Sequence, residues 1–423
     1  MAVVTIESNL GRLAVNFRTS EFVSKAHPDK MADGISALVL QEHLINDPLA
    51  HVAAETILSS SGEVSLYGEI TSGHDMTQAD YERLVRGYVG GLGWTKAHGY
   101  DPDELIIRKQ YALQSPDIAQ GVVESDPSRL GAGDQSETIG FAIRNPRFSE
   151  EEDQRLPLPH ALSRDLLLAI NALRESSLSE VIKPDMKSLV EVSYKDGKPV
   201  ALEKLVLAVS HSDSIENGQL RELIRDTVMS VLHKYKLNFN FDEAIVNGTG
   251  KFVIGGPRGD TGLTGRKIVV DAYGPEIPVG GGAFHGKDPS KVDVTGAYLA
   301  RWIANQIVGN GLADKCLVRL SWAIGQPMPV AMHVDLCGTE KNSIKNITEM
   351  LAQIDTSLGV AIARFGMREI KPGDTKGIVY PAIAGWGPFG LVKDDSERPW
   401  DLVVPPDKWK EWTAPKIEVA GQS

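Results

Sequence analysis

A chain of 423 residues is long for one hydrophobic core and implies two or three domains. Its 44 Lys and Arg against 56 Asp and Glu give a net charge of −12. With no basic block, that balance excludes nucleic acid or an anionic membrane as the main partner, so any anionic substrate must be held by a local basic pocket. Cys316 and Cys337 are too few for a disulfide framework and too far apart for a C-x-x-C site, so both are expected to pack in strands. No apolar run reaches signal-peptide or membrane-spanning length, and a cytoplasmic location is expected.

In chain order, the residues before Thr19 are assigned no role. The first unit opens at SEFVSKAHPDKMADGISALVLQEHLIND, where Pro28 suits a first helical turn. Met31, Ile35, Leu38 and Val39 then recur at helical spacing until Asp47-Pro48 stops the helix. His27 therefore sits at a helix N-terminus, where backbone N–H groups favour an anion, and Asp29 in the same turn can hold a metal. A histidine before a proline is more often just a cap or a surface residue. Two strands follow in HVAAETILSS and EVSLYGEIT, then a helix in TQADYERLVRGYVGGL and a strand in ELIIRKQYAL.

After a linker rich in Gly, Pro, Ser and Asp, the order returns. A helix is read in LPHALSRDLLLAINALRE, a hairpin turning at Asp196-Gly197, a helix in GQLRELIRDTVMSVLHKY and a strand in DEAIVNG. The last third has a helix in KVDVTGAYLARWIANQIVGN, strands in CLVRLSWAIG and VAMHVDLCG, and a helix in NSIKNITEMLAQI. Three similar α+β units are expected, with mixed or antiparallel sheets covered by helices on one face and by something else on the other. Their approximate bounds are 19–119, 129–252 and 253–395, with exchange of segments between them allowed.

From the end of the second unit into the third, Gly248 to Asp293 interleaves glycines with Lys251, Arg258, Arg266, Lys267, Lys287 and Lys291 and with Asp260, Asp271, Asp288 and Asp293. Glycines let backbone N–H groups approach an anion, basic side chains neutralise phosphoryl oxygens, and carboxylates carry the Mg²⁺ that accompanies them. Composition alone also fits plain solvated turns. A P-loop nearly fits at Gly281–Lys287 and fails, because Asp288 stands where the motif needs Ser or Thr; Gly259, Gly262 and Gly265 miss the dinucleotide fingerprint.

The wording of the stretch is more specific. TGKFVIGGPRGDTGLTGRK, followed by GGGAFHGKDPSKVD and preceded far upstream by HPDK and GAGDQ, resembles the S-adenosylmethionine synthetase (methionine adenosyltransferase) family over about residues 20 to 400. The resemblance implies three related α+β domains about a pseudo-threefold axis. It also implies sheets packed flat between two subunits and active sites shared across a homodimer or a dimer of dimers. In such enzymes the methionine sulfur displaces the whole triphosphate from C5′ of ATP, and the triphosphate is then hydrolysed to phosphate and pyrophosphate. The segment matching QSPDIAQGV would be a gate over the site.

Position by position, the resemblance puts His27 on the leaving oxygen and Lys187, Arg266, Lys267 and Lys287 on the triphosphate. It puts two Mg²⁺ per site on Asp29 and Asp293, and K⁺ on Glu55. Asp185, Lys251, Phe252, Asp260 and Ala283 would line the ATP site, and Asp134 the ATP or methionine site. Glu69, Gln114, Asp260 and Lys291 would meet methionine. The chain departs from the family at Lys25-Ala26 before HPDK, where a positive charge joins the phosphate site. Other departures are Lys251 in place of Arg, Leu113 before QSPDI, one inserted residue between Glu55 and Glu69, and Pro388 and Leu391 near the end. A phosphohydrolase that has lost methionine, and a non-catalytic subunit, remain as alternatives; retention of Glu69, Gln114, His27, Asp29 and Lys187 argues against both.

Overall fold

The computed structural model describes residues 16–115, 129–370, 377–390 and 396–409. Strand β1 (Asn16–Val23) leads into helix α1 (Pro28–Asn46), strands β2 (His51–Leu58) and β3 (Glu63–Thr71), helix α2 (Gln78–Gly91) and strand β4 (Ile106–Ala112). Strand β5 (Ser136–Ile143) precedes α3 (Leu158–Leu173), the hairpin β6 (Ile182–Lys195) and β7 (Lys198–His211), α4 (Asn217–Lys234) and β8 (Ile245–Val246). Next come β9 (Gly262–Leu263), the single turn α5 (Ile268–Asp271) and α6 (Val292–Gly309). Strands β10 (Lys315–Trp322) and β11 (Ala331–Asp335) and helices α7 (Ile344–Leu351), α8 (Leu358–Arg364) and α9 (Tyr380–Trp386) complete the set.

The helix, two-strand, helix, strand order is complete in the first two units, while the third has no closing strand among the described residues; the sheets share a common arrangement. Their strand orders are β4-β3-β2-β9, β8-β7-β6-β1 and β11-β10-β5. In each, the central hairpin is antiparallel and its first strand pairs antiparallel with a strand from elsewhere in the chain. In the first two, the hairpin's second strand pairs in parallel with the closing strand, β4 or β8. The exchange is cyclic: β1 completes the second sheet, β5 the third and β9 the first, the relation that a pseudo-threefold axis produces.

Four of these strands depart from the sequence reading, the two-residue β9 among them. β1 begins at Asn16 and pairs with β6 from Asn16 opposite Tyr194 to Val23 opposite Lys187, so residues 16–18, ahead of Thr19, have a structural place. β5 lies in what reads as the far end of a linker. β8, read as a longer strand, has two residues, Ile245 and Val246, paired in parallel with Val206 and Leu207 of β7. The gate falls almost wholly on 116–128, outside the described residues, as does Leu391.

Helix α6 is buried along almost its whole length, with its flank closed by the C-terminal segment. Trp400 stacks on Tyr298 at 3.7 Å, and the fully buried Arg301 is paired with Asp401 at 2.6 Å. Pro388 belongs to this closure, its carbonyl accepting from the Trp400 indole N–H at 2.7 Å. Cys316 packs inside β10, but Cys337 is exposed beyond β11 at φ 55°, so only one of the two cysteines packs in a strand. Among the described residues, no helix is long and apolar enough to cross a membrane.

Candidate active site

The first constellation gathers at the N-terminus of α1. His27 is the N-cap, its Nδ1 accepting from the Asp29 backbone N–H at 3.1 Å. Burial, then the Lys187 and Lys267 ammonium groups, drive its pKa down to about 3. The imidazole is therefore neutral near pH 7, and because Nδ1 accepts, Nε2 carries the proton. Asp29 is equally buried; Oδ1 accepts from the Leu263 N–H at 3.0 Å and Oδ2 from Lys267 Nζ at 2.7 Å, with Arg266 at 3.7 Å. Burial alone would push this carboxyl up, but the Lys267 contact and the Leu263 N–H hold it below its ordinary value.

Strand β6 brings Asp185 and Lys187 to the same place. Asp185 Oδ2 accepts from the Gly256 N–H at 2.8 Å, and burial raises its pKa to about 6 against the pull of that bond and of Lys187. Asp260 is near enough to push the same way. Asp185 Oδ1 is a buried acceptor with no partner among the described residues, the state that a ligand N–H or O–H relieves. Phe252 lies in the loop after β8, not in a core strand. Its N–H donates to His211 Nε2 at 3.2 Å, and its carbonyl accepts from the His211 N–H at 2.9 Å. Lys251 is exposed and paired with Asp213. Lys25 does not add a free charge to this site, because Glu175 neutralises it at 3.1 Å.

A second constellation forms around Lys287, held antiparallel to Ala53 by an isolated bridge. Lys287 Nζ meets Asp293 Oδ2 at 2.5 Å, and Asp293 Oδ1 accepts from the Ser136 hydroxyl at 2.6 Å. A Cβ at Gly282 would overlap the Asp293 carboxylate at 2.1 Å, so only glycine admits that close approach. Glu55 and Glu69 are near one another on the first sheet; burial raises the Glu55 pKa, opposed by Lys287 and supported by Asp33 and Glu69. Lys291 is bound to Asp288, whose neighbour Ser290 accepts through its carbonyl from the Gly133 N–H at 3.2 Å, bringing the Asp134 loop alongside. Gln114 donates from its backbone to the Thr71 hydroxyl at 3.0 Å, and its Oε1 is a second buried acceptor without a partner among the described residues. Ala283 connects the halves sterically, lying against Gly265. Among the described residues, no hydrogen bond or ion pair joins the two constellations.

Both halves carry the same chemistry, a carboxylate pinned by a lysine beside further cationic groups. Three family models match the chain: the S-adenosylmethionine synthetase N-terminal domain over residues 15–116, the central domain over 129–252 and the C-terminal domain over 254–401. The chain belongs to the S-adenosylmethionine synthetase family. It is similar to the S-adenosylmethionine synthase of Parasynechococcus marenigrum, 37% identical over 406 residues that cover 91% of this chain and 94% of the relative. It is 38% identical to that of Fusobacterium nucleatum over 394 residues, covering 93% and 97% respectively. The synthase of Pelagibacter ubique is 38% identical over 381 residues.

Sequence reasoning missed one group beneath the first constellation. Lys30, Asp33, Asp271 and His285 are all buried. Lys30 Nζ is paired with Asp271, lies 3.0 Å from Asp33 Oδ2 and 3.4 Å from His285 Nε2, while His285 Nε2 is 3.2 Å from Asp271 Oδ2. Asp33, Asp271 and His285 have the spacing of a metal cluster, but the Lys30 ammonium supplies the cation among them. The signal in sequence was Asp33 three residues after Lys30, on the buried side of α1.

Proposed function

We propose that the two constellations synthesise S-adenosyl-L-methionine from L-methionine, ATP and water, with His27 and Lys187 acting at the bond that breaks. The sulfur lone pair forms the S–C5′ bond, the C5′–O5′ electron pair leaves with the triphosphate, and no base is needed because sulfur loses no proton. Water then cleaves the triphosphate to phosphate and pyrophosphate. The observation that carries this reading is the His27 imidazole: neutral, with Nδ1 occupied by the Asp29 N–H and no hydrogen bond to Nε2 among the described residues. It is a fixed donor for the oxygen on which charge develops. Lys187, Arg266, Lys267 and Lys287 hold the triphosphate, and Phe252, Asp185, Asp260, Lys251 and Ala283 the nucleoside. Glu69, Gln114, Asp260 and Lys291 hold methionine, and Asp134 lies at the margin of the cleft.

The donor sets fit the expected cations. Asp29 and Asp293 are hard oxygen ligands beside the phosphate-binding lysines, as Mg²⁺ requires, and two such ions neutralise triphosphate charge when bound. Glu55, raised by burial and lacking a full counter-charge, suits K⁺. The family resemblance points to a homodimer, or a dimer of dimers, with active sites shared between subunits. Exposed Ile57, Tyr67 and Leu189 on the outer sheet faces supply apolar area for that contact. The free thiol state of both cysteines accords with a cytoplasmic enzyme.

The test is to incubate the protein with ATP, Mg²⁺ and K⁺, with and without L-methionine, and follow adenosyl product and phosphate by chromatography. Matching S-adenosylmethionine, phosphate and pyrophosphate is expected; phosphate release independent of methionine would show a hydrolase instead.

A further inference from the structure

The loop that presents Arg266 and Lys267 is tied to α1 at three successive residues, Leu263, Thr264 and Gly265; the Thr264 hydroxyl lies 2.8 Å from that of Ser36 and donates to the Ala32 carbonyl at 3.3 Å. Asp29 accepts from the Leu263 N–H and from Lys267 Nζ, and one turn further on Asp33 Oδ1 accepts from the Gly265 N–H at 2.9 Å. Under the proposed function the first tie is temporary, because Asp29 must turn its oxygens to Mg²⁺ and Lys267 must turn to phosphate. The ties at Thr264 and Gly265 are not: Thr264 is buried, and Asp33, which holds the residue next to Arg266, is fully buried with its other oxygen facing Lys30 at 3.0 Å. Lys30 is in turn locked by Asp271, at the far end of the same loop, and by His285, two residues before Lys287. Burial alone would drive the Lys30 pKa down, but the two carboxylates raise it, so the ammonium stays charged. Gly265 itself stands at φ +78° with Ala283 against it, leaving the turn little room to move.

We propose that Asp33 is a positioning residue for triphosphate binding: through the Gly265 N–H it aims Arg266 and Lys267 once the substrate and its metal have taken over Asp29, and the Lys30–Asp271–His285 group beneath holds Asp33 in place. The inference rests on Arg266 and Lys267 being the triphosphate ligands. It adds to that reading the group that keeps them aimed in the loaded enzyme. A merely structural loss would lower stability without singling out one ligand; this role weakens tripolyphosphate binding and leaves methionine alone.

The experiment is titration calorimetry of tripolyphosphate with Mg²⁺ on the full chain, comparing wild type, Asp33→Ala, Arg266→Ala and Asp33→Ala/Arg266→Ala, with the methionine KM measured in parallel. Asp33→Ala is expected to bind tripolyphosphate about tenfold more weakly with an unchanged methionine KM. The double variant is expected to be little weaker than Arg266→Ala alone. Wild-type affinity in Asp33→Ala, an equally raised methionine KM, or fully additive losses each overturn the proposal. Wild-type affinity in Arg266→Ala overturns the underlying assignment as well, which separates the two failures. If Asp33→Ala does not fold, Gly265→Ala decides: its Cβ would meet the Ala283 Cβ at 2.9 Å, so displacing the loop without touching the buried charges should reproduce the tenfold loss, and unchanged affinity refutes it.

Discussion

Replacing His27 with Ala tests the chemistry most directly. With a pKa of about 3, the imidazole at pH 7 is protonated in only ~1 molecule in 10⁴, so it acts as a neutral donor, not a cation. Removing one fixed donor from a developing oxyanion costs about 3–4 kcal/mol, or roughly 10²–10³ in kcat. Losing the N-cap acceptor for the Asp29 N–H adds about 1 kcal/mol of helix destabilisation, which is visible as a lowered melting temperature but not as a catalytic effect. The assay is single-turnover formation of S-adenosylmethionine, run beside hydrolysis of tripolyphosphate supplied directly. His27→Ala should lose adenosyl transfer and largely keep hydrolysis, since no C5′–O bond breaks in the second reaction. His27→Asn, with an amide that both caps and donates, should recover part of the transfer rate. Equal loss in both reactions, or a wild-type transfer rate that falls as pH drops through about 6.5 with a single proton, would refute the role given to this residue.

Arg266→Leu should weaken tripolyphosphate hydrolysis more than it raises the methionine KM, because Arg266 neighbours Asp29 and not the Glu69 and Gln114 group; stopped-flow phosphate release separates the two. Glu55→Gln should abolish K⁺ stimulation while leaving Mg²⁺ dependence intact, measured by titrating each cation against rate. If each site takes halves from two copies, specific activity should fall on dilution in step with the mass measured by light scattering, and full activity in a verified monomer would contradict shared sites. Stability should fall as pH drops. His27 and His160 are held near 3 and His43 near 4, chiefly by burial, so the native state binds fewer protons than the unfolded chain between those values and about 6.5. Each contributes stability that is fully present above pH 6.5 and is lost at about 1.4 kcal/mol per pH unit as pH falls to the folded-state value, and thermal melts from pH 7 to 4 read it.

The sequence was most informative where structure is set locally. Pro28 and the helical recurrence of Met31 and Ile35 place α1, and Asp196-Gly197 places the β6–β7 turn, both residues having positive φ as such hairpins require. β1, β5 and β9 escaped because their partners lie far along the chain, and because the signal of a two-residue strand or one interrupted by Gly140 is too weak to stand alone. For the site, wording brought the residue types together, but not their states. That His27 must carry its proton on Nε2 follows only from the Asp29 N–H beside Nδ1. That Lys25 is spent on Glu175, and that the lysine of HPDK is sealed under the site against Asp271, depends on residues more than a hundred positions away.

The cyclic loan of strands has a consequence for how this protein comes into being. During synthesis the first sheet must wait, with β2 unpaired on one side, until Gly262 and Leu263 have been made, and the third cannot close without a strand completed long before it. No unit can be cut out without exposing an open edge in itself and depriving another of its border. The three should therefore melt in one transition and not in three, and a chain halted before residue 262 should be prone to aggregate, although its N-terminal unit would by then be complete in length.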